Sequence, residues 1–159
     1  MKKTTLAALL LCSAGFWSGA ALAAASCGFQ NVIGVAFGLY DPLSGAANNS
    51  SGRFAVACSR PLGFGGPFDP FPYRVNVSSG LHGTVTARKM SNGVDNLSYG
   101  LYQDSSRQTN LTSVSGSFHF PFFGEREGSR LFDVYGRIPA GQLVSSGTYT
   151  DTITLTLTF

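Results

Sequence analysis

The sequence predicts an all-β domain, a sandwich or barrel built from short strands. Three observations carry this. Apolar residues recur at every second position, and no stretch shows the three-and-four spacing of a helix face. Turn residues such as Asp41-Pro42, Ser79-Gly80, Asn92-Gly93 and Pro139-Ala140-Gly141 punctuate the chain at short intervals. The last stretch, Thr148 to Phe159, alternates strictly. Its threonines point one way, while Tyr149, Asp151, Ile153, Leu155, Leu157 and Phe159 point the other. That is a strand with one wet and one apolar face, broken only by Asp151. An apolar strand of this kind needs a neighbour on each edge, and a partner chain is the expected source of one of them.

The elements follow in order. Val32 to Phe37 is a first strand, closed by Gly38 to Pro42, and Leu43 to Gly52 is a small, polar loop. Arg53 to Ser59 is a second strand with Phe54, Val56 and Cys58 on one face. Pro61 to Tyr73 holds four of the seven prolines and is expected to be a long irregular loop, since prolines at that density exclude a central strand. Tyr73 to Ser78 turns Tyr73, Val75 and Val77 inward. Thr84 to Met90 and Leu97 to Gln103 pair across Asn92-Gly93. Gln108 to Val114 is weakly patterned. Ser117 to Phe123 is an edge strand because of Pro121, and Leu131 to Ile138 precedes the final strand.

The first 25 residues read as a secretory signal. Lys2 and Lys3 are followed by an apolar run from Leu6 to Leu11, and cleavage is expected after Ala23 or Ala25. Residues 26–159 then form one domain with room for one core. Losing Lys2 and Lys3 leaves nine basic residues against eight acidic ones, a net charge of +1, so nucleic acid is not an expected partner. Cys12 and Trp17 leave with the signal. Cys27 and Cys58 remain, and in an exported chain they are expected to form one disulfide.

Several motifs stand in a recognisable order: Phe37-Gly38 with Tyr40-Asp41-Pro42, Arg88 with Met90, Leu97 to Tyr102 with Asp104, Tyr135 to Gln142, and Gly147 to Asp151. Together they resemble the spore coat protein U domain, as found in subunits of archaic, Csu-type chaperone–usher pili. The resemblance covers nearly the whole mature chain. It implies an incomplete immunoglobulin-like β-sandwich lacking its last strand, completed by a donor strand from a partner. A periplasmic chaperone lends that strand, and at the outer-membrane usher the N-terminal extension of the next subunit replaces it. On this resemblance Tyr149, Ile153, Leu155, Leu157 and Phe159 line the donor-strand and chaperone groove. Only Ala24-Ala25-Ser26 can precede Cys27 in the mature chain, spanning about 10 Å, too short to fill a groove. Such a subunit is expected to accept a strand without giving one, to sit at the fibre tip, and to mediate surface attachment and biofilm formation.

Phe64, Phe68 and Phe71, with Phe120, Phe122 and Phe123, are the candidate contacts with an apolar surface; the simpler alternative is that they cover the core. His82 and His119 have no metal-ligand spacing, and no metal or cofactor is expected. No nucleophile elbow, phosphate loop or zinc-protease motif occurs, so the expected function is structural rather than enzymatic. Asp41, Asp104, Asp133 and Asp151 are expected to bond turn backbone. Two other readings are a secreted, self-associating coat or matrix protein and a sugar-binding β-sandwich.

Overall fold

The computed structural model describes residues 25–61, 70–120 and 126–159, and every regular element in them is a strand. These are β1 (Ser26–Ile33), β2 (Asn48–Ser59), β3 (Pro70–Val77), β4 (His82–Thr84), β5 (Ala87–Ser91), β6 (Asn96–Tyr102), β7 (Ser113–His119), β8 (Glu127–Ile138) and β9 (Leu155–Thr158). One sheet has the order β1-β2-β8-β6-β5-β4 and the other the order β7-β3-β9. All pairings are antiparallel.

The core lies between the sheets and is built by period-two alternation. Phe54, Val56 and Cys58 enter it from β2, and Tyr73, Val75 and Val77 from β3, as the pattern predicted. Leu97, Tyr99 and Leu101 of β6 and Val134 and Ile138 of β8 complete it. Tyr73 joins the two sheets: its ring stacks on Phe118 at 5.1 Å and meets the edge of Phe132 at 6.4 Å, and Phe132 in turn stacks on Phe54 at 5.3 Å. Aromatic pairs in these arrangements add to the burial of their area.

Four sequence expectations change. The first strand is Ser26–Ile33 rather than 32–37. Asn31 has a positive φ of 50°, the register shifts between Gln30 and Ile33, and the chain then leaves β2. The polar stretch after Leu43 becomes strand at Asn48, because β8 supplies a twelve-residue partner ladder that outweighs its weak propensity. Pro70 and Pro72 lie in β3, the middle strand of its sheet. They are tolerated because β9 covers β3 only from Arg74 to Val77, leaving one side of the proline stretch open. The C-terminal strand is regular only from Leu155 to Thr158, although the alternation of exposure runs from Tyr149 onward.

Cys27 and Cys58 are direct cross-strand partners and form the expected disulfide. It closes a loop with a sequence separation of 31 residues. Replacing both cysteines by serine should cost roughly 3–4 kcal/mol in the chain-entropy account. The check is the urea midpoint of the protein at unchanged m-value.

Candidate functional site: an apolar groove beside an open strand edge

β9 pairs with β3 on one side only. On its other side, among the described residues, no ladder forms. Facing it across a gap is the chain that has just left β1. That segment is pinned by side chains: Ser50 Oγ donates to Ala36 O at 2.6 Å, and Asn48 Nδ2 donates to Phe37 O at 3.1 Å and Leu39 O at 2.9 Å. Gly136 of β8 makes room beneath it. A Cβ there would lie 2.6 Å from Val35 Cγ1 and 2.7 Å from the Phe37 ring, so any larger residue would lift this wall.

Between the two walls is a cavity of about 370 Å³. Val32, Ile33, Val35 and Phe37 form one side, and Tyr149, Asp151, Ile153 and Leu155 the other. Val77, Tyr99, Leu101, Leu111 and Val134 make its floor. A second cavity of about 590 Å³ continues it, sharing Val35, Phe37, Met90 and Tyr149 and reaching Leu39, Leu97 and Val144. The groove is thus long, apolar and open to water. Val32 and Ile33 are 62% and 51% exposed, an unusual condition for adjacent β-branched residues.

One polar network stands in this apolar setting. Tyr99 Oη donates to Asp151 Oδ2 at 2.6 Å, while the Leu81 and Thr152 amides donate to Oδ1 at 2.7 and 2.8 Å. Gly80, with φ 83°, lets the Ser78–Leu81 turn come this close; a Cβ there would collide with the Asp151 carboxylate. Arg88, 1% exposed, donates to the carbonyls of Ser78 (2.9 and 3.1 Å), Val85 (2.6 Å) and Leu111 (3.0 Å). Burial lowers its pKa, and the nearby Tyr99 and Asp151 act the other way. Burial also raises the pKa of Tyr99, and its bond to Asp151 adds to the effect. The buried charge is therefore fully hydrogen-bonded, as burial of a charge requires. It gathers the Ser78, Val85 and Leu111 carbonyls beside the groove floor.

Other motif residues hold the end of the groove. The Gln142 amide donates to Tyr40 Oη at 2.8 Å, and the Gln142 side chain bonds both the amide (2.8 Å) and the carbonyl (2.9 Å) of Ser98. Asp104 accepts from Ser106 Oγ and from the amides of Gln108 and Thr109, which hold its carboxyl well below the usual carboxylate range. Asp41 accepts from the Leu43 amide at 2.9 Å. Asp41, Asp104 and Asp151 thus bond turn backbone as their positions suggested.

Residues 16–156 match the Spore Coat Protein U domain family. The chain belongs to that family. It is 34% identical over 136 residues to "Protein U" of Myxococcus xanthus, covering 77% of this chain and 70% of the relative. Its fold is similar to a chain in the crystal structure of the CsuC–CsuE chaperone–tip adhesion subunit pre-assembly complex from archaic chaperone–usher Csu pili of Acinetobacter baumannii. The TM-score is 0.51 at 19% identity over 85% of this chain. The present chain spans 40% of the length of that one, and at this identity the likeness concerns the fold.

In this spore coat protein U domain the expected groove residues fall into two sets. Tyr149, Ile153 and Leu155 line the first cavity. Leu157 is half-buried opposite Val75 on β9, and Phe159 packs on Phe71 at 6.0 Å beyond the cavity. The candidate surface contacts do not form one group. Phe120 is 4% exposed and belongs to the core, a correction whose cause is the inward face of β7 continuing past His119. Phe71 is half-buried against Phe120 and Phe159. Phe64, Phe68, Phe122 and Phe123 lie outside the described residues. Sequence reasoning missed the opposite wall, Val32 to Phe37, whose signal was an apolar run ending in the Gly38 to Pro42 turn. It also missed the Arg88–Tyr99–Asp151 network, which only the fold brings together.

Tyr99 makes a pH test possible. Its folded pKa lies above its ordinary value of about 10, so its contribution is complete below that pH and is lost as pH rises toward the folded value. Stability of the protein should fall above about pH 10. Tyr99→Phe should fall less steeply there, and at neutral pH should cost about 1.5–3 kcal/mol for the lost bond to a charged acceptor. Urea unfolding across a pH series reads both effects.

Proposed function

We propose that this protein is a subunit of a chaperone–usher pilus that completes its fold by accepting a β-strand from a partner. The observation that carries the reading is the unpaired edge of β9 beside a continuous apolar groove. Strand addition satisfies both features at once: backbone groups of the insert complete the ladder, and its alternate side chains fill the cavities. Family membership and the fold likeness to a chain of the Csu complex support it. The partners are then a periplasmic chaperone during export, the outer-membrane usher, and neighbouring subunits in a fibre at the cell surface.

The reading sets the energetics of the isolated chain. Each large apolar side chain covered by a donor contributes roughly 1.5–3 kcal/mol, and a domain of this size has about 5–15 kcal/mol in total. The lone chain should therefore aggregate or melt at low temperature, through its exposed edge, and a fused donor strand should rescue it. Leu155→Asp places a charge without a partner in the groove and should abolish co-purification with the chaperone from the periplasm. A lone mature chain that stays monomeric and melts high, with domain swapping excluded, would count against the reading.

We also propose that this subunit sits at the fibre tip. Phe64 and Phe68 are then the contact residues for an apolar surface, and adhesion supports biofilm formation. Phe64→Ser with Phe68→Ser should leave piliation intact and lower fibre adhesion to plastic severalfold, multivalency amplifying a modest loss per fibre. Antibody against this subunit should label fibre ends. Labelling along the shafts would remove it from the tip.

A further inference from the structure

The two walls of the groove run in opposite directions. β1 begins where Ser26 meets Ser59, and its tail runs toward Leu39. The other wall begins beside Ser145 and ends at Phe159, next to Phe71 near the start of β3. A single strand laid between them is antiparallel to one wall and parallel to the other. β9 is the regular strand of the two and offers a free edge, whereas the facing segment is held by side chains. Antiparallel ladders are also slightly more stable per residue. The insert therefore runs antiparallel to β9, from the Phe159 end toward the Leu39 end. If it is the N-terminal extension of a neighbouring subunit, the body of that neighbour emerges at the Leu39 end.

That end carries four exposed apolar side chains on neighbouring loops. Leu39, Leu43, Val94 and Leu143 are each more than four-fifths exposed. They sit on three loops bonded to one another. Tyr40 and Gln142 join the first loop to the third. Asn92 Nδ2 donates to Ser145 Oγ at 3.1 Å, and the Ser145 amide donates to Asp95 Oδ2 at 2.8 Å, joining the second to the third. Apolar side chains held outward by ordered loops, and continuous with a binding groove, mark an interaction surface. The second cavity opens among the same loops.

We propose that this loop cluster is the docking face for the body of the neighbouring subunit whose strand fills the groove. It rests on the donor-strand reading. The neighbour is held twice, by its strand in the groove and by its body against the leucines. The opposite end of the sandwich, where Pro70 begins β3, is left facing away from the fibre.

The test is photo-crosslinking in assembled fibres. A benzophenone amino acid is placed at Leu39, Leu43 or Leu143, and at Leu131 on a lateral strand as the control. The expected result is an adduct with a neighbouring pilus subunit at the three loop positions, at least tenfold above that at Leu131. Fibres that contain this chain but give no adduct at the loops, or equal adducts at Leu131, would overturn the docking face alone. Absence of the chain from fibres would overturn the donor-strand reading and this inference with it. In a second arm, Leu43→Ser, Val94→Ser and Leu143→Ser together, none of which lines either cavity, should retain co-purification with the chaperone while incorporation into fibres falls about tenfold. Undiminished incorporation would overturn the inference.

Discussion

The parting of β1 from β2 at Ile33 is the constraint on which the rest of the structure depends. A strand that kept its ladder would stay in the plane of the large sheet. The positive φ of Asn31 and the shift in register at Ile33 redirect it instead over Gly136. Gly52 permits the crossing, since a Cβ there would strike the Ile33 carbonyl. Val35 and Phe37 then face the interior, with Phe37 meeting the edge of Tyr99 at 6.0 Å. The groove is the space between this redirected segment and β9. Without the parting there would be no second wall and no site for an inserted strand.

A charged network inside an apolar groove looks like a liability, and the geometry shows why it is not. Arg88 spends its donors on three backbone carbonyls that no ladder reaches. Asp151 collects two amides and a phenol at the point where the C-terminal segment crosses from Ser91 of one sheet to Ser78, just past the end of β3 in the other. A sandwich missing a strand has backbone groups with nowhere to bond, and these two side chains answer for several of them. The wall remains in place while its apolar face is empty.

Much of the fold was legible in the sequence because alternation is a local signal. The inward rows of β2 and β3 and the threonine face of the C-terminus follow from period two alone. The groove was legible on one side for the same reason. The other wall was not, because Val32 to Phe37 alternates like any strand and nothing local says that it leaves its partner. Asn48 to Gly52 was misread for the complementary reason: its small polar residues become strand only through β8. Phe120 follows Phe118 at strand spacing, but whether such a residue faces core or surface depends on what packs above it. The Tyr99–Asp151 bond links positions 52 residues apart and the Asp151–Leu81 bond positions 70 apart, beyond any pattern of spacing.

The disulfide joins β1 to β2 at the second residue of the strand, at the far end from the groove. β1 therefore cannot unzip from its origin. Local opening has to begin at Ile33, where the ladder already ends, and travel back toward a covalent stop. The cross-strand bond between Cys27 and Cys58 fixes the register of the strand that anchors the groove wall. The groove wall can shift without the chain losing hold of its own first strand.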